Sequence, residues 1–147
     1  MTAAPDASAD TLAETPAGPV VRLIDMVFPG DTNHRGTLFG GDALAMLGKA
    51  AFIAATRHTR GVMVRVASRQ LGFRRPVRQG ALVELTATIV AAGRTSVAVG
   101  VTLVTEDLAS AARHHAASAE FVMVAVDAAG RPLPWGNRAA VVQATAV

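Results

Sequence analysis

The sequence predicts an α+β fold in which one long helix crosses a five-stranded antiparallel sheet. Three observations support this prediction. The 147 residues are enough for one domain. Asp42–Thr59 is the one stretch with helical periodicity. One β-rich stretch precedes this helix, and the four that follow it are joined by links of hairpin length, which favours antiparallel pairing.

The first predicted strand is Val20–Phe28 (VVRLIDMVF), which is rich in β-branched residues. Phe28–Gly41 follows and contains Pro29 and several glycines, so we expect a long loop. Residues 1–18 have almost no bulky apolar side chains, and residues 136–147 are small and follow a turn-rich stretch. Such segments cannot offset their ordering entropy. We therefore predict a domain over residues 19–135 between two tails.

The predicted helix contains no proline and is rich in Ala, Leu and Met, with Leu44, Leu47 and Ala51 at helical spacing. Gly41 or Asp42 is expected near its N-cap. A hairpin over Ala-Gly-Arg is expected between the second and third of the later strands. The four later strands are predicted at Val62–Phe73, Ala81–Ala92, Thr95–Glu106 and Ala116–Asp127.

The composition excludes several classes of protein. There is no cysteine, so a disulfide framework, a zinc ribbon and a cysteine nucleophile are excluded. Hydrophobic residues make up 51%, but 31 residues are alanine, so large apolar side chains are fewer than that figure suggests. The uncharged runs are shorter than the ~20 residues that span a bilayer. The N-terminus lacks the features of a secretory signal. We expect a cytoplasmic protein with no membrane partner.

The charge favours an anionic partner. Beyond residue 18 the chain has 14 basic and 8 acidic residues, and 13 of the 14 bases are arginine. Nucleic acid, a membrane surface and a phosphorylated small molecule all fit such a charge. Arginine is suited to bidentate phosphate contacts. Aromatic residues are only 4% and no reader motif is present, so we do not expect nucleic-acid binding.

The segment from Asp31 to Asp42 (DTNHRGTLFGGD) is the densest non-random stretch of the chain. Its glycines allow the backbone to approach a ligand closely. The loop leads into a helix N-terminus, where unpaired N–H groups favour an anion or a developing oxyanion. Such loops also serve as plain connections, so the local chemistry leaves both interpretations open.

Four motifs follow one another along about residues 20–135: Asn33-x-x-Gly36-x-x-Phe39-Gly40-Gly41, Phe73-x-x-Pro76-Val77 with Gly80, Gly93-Arg94-Thr95-Ser96, and Phe121-Val122-x-Val124-Ala125-Val126-Asp127. In this order and spacing they resemble the acyl-CoA hydrolase group of the hotdog thioesterases. The resemblance implies a long helix wrapped by an antiparallel sheet, a homodimer that assembles further into a trimer of dimers, and no cofactor apart from the CoA of the substrate.

The resemblance also implies an active site at the dimer interface. Asn33 matches the asparagine that orients water or substrate, and Gly41 matches the backbone donor to the thioester carbonyl. His34 is a further candidate because histidine is the side chain that most often transfers protons in catalysis. Arginines at 65, 69, 74, 75 and 78 either form a solvated face or contact the phosphates of CoA. The residues implied to bind substrate or CoA are Gly40, Gly48, Arg74, Arg75, Arg94, Thr95 and Ser96.

One position departs from the pattern. The resembled family carries its catalytic carboxylate seven residues after the second glycine, where this chain has Gly48. The glycine could admit a bulkier ligand or a closer sheet. Asp42 lies about 240° around the helix from it and so points elsewhere. Glu84 and Glu120 lie on strands that expose one face to solvent, so neither is assigned a catalytic role.

The resemblance implies an enzyme that hydrolyses fatty acyl-CoA to the free acid and CoA, with altered catalysis because of Gly48. The alternative is a non-catalytic acyl-CoA-binding or sensor protein, or a structural subunit of a mixed oligomer. No metal is expected, because His114 and His115 point to opposite faces of a strand and do not form a metal-binding pair.

Overall fold

A computed structural model describes residues 20–136 of the chain. The two predicted tails lie almost wholly outside that range. Five antiparallel strands form a single sheet in the order β1-β3-β4-β5-β2. The elements are β1 (Val21–Met26), a 3-10 turn (Pro29–Asp31), α1 (Gly40–Thr59), β2 (Met63–Phe73), β3 (Leu82–Ala92), β4 (Ser96–Glu106) and β5 (Arg113–Ala125).

Helix α1 packs on one face of this sheet through small side chains. Its fully buried residues include Ala50, Ala51, Ala54 and Ala55, all with 0% exposure. Alanines at helical spacing let the helix backbone approach the strands closely. Fully buried side chains of the strands, among them Phe121, complete the core. The predicted α+β fold, with its hotdog arrangement, is confirmed.

The helix begins two residues earlier than predicted. Its N-cap is Phe39, not Gly41 or Asp42, and no side chain caps it. The backbone carbonyl of Phe39 accepts hydrogen bonds from the N–H groups of Asp42 and Ala43, both at 3.0 Å. Gly41 and Asp42 thus lie in the first turn, near the N-cap as expected, and the helix start itself is built from backbone bonds alone.

Strand β5 also begins earlier than the predicted Ala116. It starts at Arg113, which pairs with Glu106 across the ladder to β4. The guanidinium of Arg113 is 2.6 Å from the carboxylate of Glu106. This cross-strand ion pair extends the ladder through a segment that lacks an apolar pattern.

Strand β2 forms one edge of the sheet and is exposed along most of its length. Val64, Val66 and Phe73 are 42%, 57% and 53% exposed. An apolar edge strand with unpaired backbone groups is a ready surface for pairing with another chain. Within residues 20–136 no helix is long and apolar enough to cross a membrane.

The close helix–sheet contact gives a first prediction. Ala51→Leu is expected to destabilise the protein by ~1–3 kcal/mol, because the added carbons have no room against the strands. Ala45→Leu is the matched control, since Ala45 is exposed on the same helix. Urea unfolding followed by circular dichroism measures both. Equal midpoints for the two variants would contradict the packing described here.

Candidate active site

The loop before α1 is organised by the side chain of Asn33. Its Oδ1 accepts hydrogen bonds from the N–H of Arg35 at 2.9 Å and from the N–H and hydroxyl of Thr37 at 3.3 and 3.2 Å. Two backbone donors fix which amide atom is oxygen, because a nitrogen there could not accept them. The Nδ2 group donates to no acceptor within residues 20–136. Asn33 therefore closes the loop and still presents an amide donor.

The start of α1 provides two further donors. In the described part of the chain, the N–H groups of Gly40 and Gly41 have no acceptor, as is usual for the first turn of a helix without a side-chain cap. The Phe39 ring folds back over this turn. A Cβ at Gly41 would lie 2.8 Å from a carbon of that ring, so a side chain there would have to displace the exposed Phe39 ring. Gly41 therefore presents an unpaired backbone N–H at the helix start.

A cavity of about 340 Å³ lies beside this helix start. Gly40, Arg74 and Arg75 are among its lining residues, so the structure brings together three of the predicted binding residues. The N–H groups of Arg74 and Arg75 both point to the carbonyl of Ala116, which holds this segment against β5. The remaining lining is mostly apolar: Thr37, Leu38, Ala43, Phe73, Pro76, Val77, Leu103, Ala116 and Ala117. Such a cavity can hold an apolar chain next to a phosphate.

Gly48 lies near the middle of α1 and faces Arg65 of β2. A Cβ built on Gly48 would be 3.0 Å from Nη1 of Arg65. The same guanidinium lies over the ring of Phe121, with its Cζ 5.6 Å from the ring centroid. From the sequence, Arg65 was one of the arginines expected either to form a solvated face or to contact the phosphates of CoA. Its proximity to Gly48 depends on how β2 packs on α1, which no local pattern reveals.

Arg94, Thr95 and Ser96 lie far from Asn33 within one chain. The carbonyl of Arg94 accepts a hydrogen bond from Trp135, whose ring lies 5.1 Å from that of His58 near the end of α1. A helix of 20 residues is ~30 Å long. The hairpin and the Asn33 loop therefore lie at opposite ends of α1, and a single chain does not combine them.

The three glutamates of the strands are engaged in ion pairs. Glu84 and Glu106 both accept hydrogen bonds from Arg113, and Glu120 accepts from Arg69 at 2.6 Å. The pKa of the Arg113 guanidinium is raised, mainly by its hydrogen bond to Glu84 and next by its hydrogen bond to Glu106. These carboxylates are held in ion pairs on the strands, which agrees with leaving Glu84 and Glu120 out of the site.

Asp42 and His34, which the sequence also raised as candidates, lie outside the cavity beside the helix start. Asp42 lines a different cavity, between α1 and β1. His34 is exposed next to Asn33. Within residues 20–136 no cluster of three or more His, Asp or Glu side chains could hold a metal ion.

The chain is similar to known thioesterases in sequence. Residues 35–112 match the family model of the Thioesterase superfamily. The acyl-CoA thioester hydrolase YciA of Salmonella typhimurium is 34% identical over 127 residues, which cover 84% of this chain and 95% of that protein. An uncharacterized acyl-CoA thioester hydrolase, YkhA of Bacillus subtilis, is 35% identical over 108 residues, 74% of this chain. The chain spans only 63% of the length of that relative.

Solved structures show the same likeness. The acyl-CoA hydrolase of Staphylococcus aureus, solved with butyryl coenzyme A and coenzyme A, is 30% identical with a TM-score of 0.74. The match covers 78% of this chain and 70% of that one. A hexameric thioesterase from Yersinia pestis is 31% identical with a TM-score of 0.74, covering 82% of this chain and 97% of that one. With this fold and the family match over more than half its length, the chain belongs to the thioesterase superfamily.

Proposed function

We propose that the protein is a cytoplasmic acyl-CoA thioester hydrolase whose active site forms between two chains. The observation that carries this proposal is the arrangement at the start of α1. There, two unpaired N–H groups and the fixed amide of Asn33 lie in one loop–helix junction next to a mainly apolar cavity. The named acyl-CoA hydrolases among the relatives support the same substrate class.

In the proposed reaction the acyl chain enters the cavity and the thioester carbonyl oxygen accepts a hydrogen bond from the N–H of Gly41. This donor stabilises the charge that develops on the oxygen when water adds to the carbon. The Nδ2 of Asn33 orients the water. His34 accepts the proton of the water and returns it to the sulfur as the carbon–sulfur bond breaks. The products are the free acid and CoA.

We assign the binding of the CoA phosphates to arginine side chains. Arg74 and Arg75 are exposed where they line the cavity, so they can contact phosphates while the acyl chain lies inside. Arg94, Thr95 and Ser96 would come from the hairpin of the second chain, because in their own chain they lie at the opposite end of α1 from Asn33.

A dimer is therefore part of the proposal. The exposed apolar edge of β2 is the surface that we assign to it. The hexameric relative from Yersinia pestis supports a further assembly into a trimer of dimers. No metal or additional cofactor is required by the proposed chemistry, since CoA enters as part of the substrate.

The position of Gly48 can be related to the Staphylococcus aureus enzyme through intervals along the chain. Variants of that enzyme have been solved in which an asparagine and an aspartate 15 positions apart are replaced by alanine. A threonine 17 positions further on was replaced as well. In this chain the same intervals connect Asn33, Gly48 and Arg65. The proposed hydrolase thus keeps the asparagine and has glycine and arginine at the two later positions.

Gly48 also favours a second candidate function, in which the protein binds acyl-CoA without cleaving it or serves as a structural subunit of a mixed oligomer. Thiol release from acyl-CoAs of increasing chain length, measured with a colorimetric thiol reagent, distinguishes the two. The proposed hydrolase is expected to turn over at least one chain length well above the rate without protein. Calorimetric binding of acyl-CoA with no thiol release at any length would favour the second candidate.

A further inference from the structure

A second cavity, of about 540 Å³, adjoins the cavity beside the helix start. The two cavities share Arg75 and Pro76 among their lining residues. Along β4, Leu103 lines the first cavity and Thr105 lines the second. Residues two apart on a strand lie on one face of the sheet, so the cavities follow one another along that face. A ligand held in the first cavity can therefore extend past Arg75 into the second.

The segment between β2 and β3 forms one wall of the second cavity and is bonded to the loop of Asn33. The N–H of Leu38 donates to the carbonyl of Val77 at 2.7 Å. Arg78 follows directly and forms an antiparallel backbone bridge with Thr37, whose hydroxyl donates to the Oδ1 of Asn33. Arg78 lines the second cavity, so this wall has a fixed place relative to the Asn33 amide.

The lining of the second cavity is mainly basic. Arg75 and Arg78 come from the segment before β3, and His114 comes from the start of β5. Of the described lining residues only Asp107 is acidic, and its Oδ1 accepts two backbone hydrogen bonds from its own loop, at 2.8 and 3.0 Å. Two guanidinium groups against one carboxylate favour an anion, and the planar guanidinium suits phosphate.

Thr105 supplies a polar group that the described chain leaves unused. It is 8% exposed, and its hydroxyl makes no hydrogen bond within residues 20–136. It lies opposite His114 in the β4–β5 ladder and on the face whose earlier β4 residues are apolar and buried, namely Val97, Val99, Val101 and Leu103. A buried polar group without a partner is unfavourable, so such a group usually bonds to a ligand or to water. The floor of the second cavity thus offers a hydroxyl beside the basic side chains.

We propose that the second cavity binds the nucleotide of CoA, with its 3′-phosphate at Arg78 and His114 and its ribose near Thr105. This inference rests on the proposed function and specifies which thioesters the site selects. With the acyl chain in the first cavity and the diphosphate at Arg74 and Arg75, the nucleotide is the part of CoA that lies beyond Arg75. A thioester carried on a protein by a phosphopantetheine arm has no nucleotide. The site should therefore select thioesters of free CoA over carrier-bound thioesters.

The test compares S-butyl-CoA with its 3′-dephospho analogue by isothermal titration calorimetry on the full chain. The two thioethers differ only in the 3′-phosphate and are not hydrolysed, so the result does not depend on turnover. The dephospho analogue is expected to bind roughly 10- to 100-fold more weakly, as for the loss of a charged hydrogen bond. Arg78→Gln should lose most of this preference, and Arg78→Lys, which keeps the charge, should retain part of it.

Thr105→Val tests the floor of the cavity, because valine keeps the shape of the side chain and removes the hydroxyl. It should weaken the binding of both ligands several-fold without lowering the melting temperature, since this hydroxyl has no partner within residues 20–136. Unchanged affinity for both ligands in Thr105→Val would contradict the placement of the nucleotide in this cavity.

Arg22→Gln is the matched control, because it removes an exposed arginine that lines neither cavity. It should keep the wild-type preference. Equal affinity of the wild type for the two ligands, or a preference that survives Arg78→Gln, would overturn the inference and leave the proposed function standing. Failure of both ligands to bind would overturn the proposed function as well.

Discussion

Asn33→Asp is expected to lower kcat by about 10²- to 10³-fold, the usual cost of removing one donor aimed at a reacting group. The aspartate keeps an oxygen in the place of Oδ1, so the bonds from Arg35 and Thr37 that close the loop remain. It loses the Nδ2 donor and adds a negative charge next to the carbonyl. The melting temperature should stay close to that of the wild type. Thiol release and differential scanning calorimetry measure the two quantities.

Asn33→Ala is the comparison for this experiment. It removes both the donor and the loop-closing acceptor, so it should lose activity and also some stability, ~1 kcal/mol per hydrogen bond lost. The affinity for CoA should fall much less than turnover in either variant, because Asn33 is assigned to the acyl centre and not to the phosphates. Equal losses of kcat and CoA affinity, or full activity in Asn33→Asp, would contradict the assigned role.

Gly48→Asp supplies the carboxylate that the family resemblance leads one to expect, but on its own it is expected to raise hydrolysis only slightly. The new side chain would begin 3.0 Å from Nη1 of Arg65 and form an ion pair with it. A paired carboxylate has a lowered pKa and is a weak base. The double variant Gly48→Asp with Arg65→Thr removes the competing charge. Its thiol release should exceed that of either single variant by about 10-fold, within the coupling usual for residues in contact.

Steady-state kcat values for the wild type, Gly48→Asp, Arg65→Thr and the double variant form a double-mutant cycle. Ala45→Asp is the control on the same helix, since Ala45 is exposed and lines a different cavity, between α1 and β1. Its activity should match that of the wild type. Additive effects of the two substitutions would show that Arg65 does not interact with position 48.

Sequence patterns predicted the parts of the fold that depend on local periodicity. The hairpin after Ala92 and the helix ending at Thr59 follow from alternation and helical spacing within short windows. The helix start at Gly40 was missed because Phe39 forms the N-cap with backbone bonds alone, a geometry that residue type does not indicate. The early start of β5 depends on an ion pair to another strand, which is equally invisible to a local window.

Local sequence patterns also predicted only part of the candidate site. The Asn33 loop was singled out because its glycines and polar residues are contiguous. The position of Gly48 could be identified by counting, but its neighbour Arg65 becomes visible only once β2 is packed on α1. Arg94, Thr95 and Ser96 match a motif of the family, yet one chain keeps them away from Asn33. Their role depends on a second chain and remains a proposal.

The most direct measurement is a crystal structure of the protein with a ketone analogue of butyryl-CoA, in which a methylene replaces the thioester sulfur. The account predicts that the ketone oxygen lies within hydrogen-bond distance of the N–H of Gly41, with the Nδ2 of Asn33 close to the carbonyl carbon. It also predicts the hairpin of a second chain around the CoA and no carboxylate of the protein within ~4 Å of that carbon. A ketone bound away from Gly41, or a carboxylate against the carbon, would contradict it.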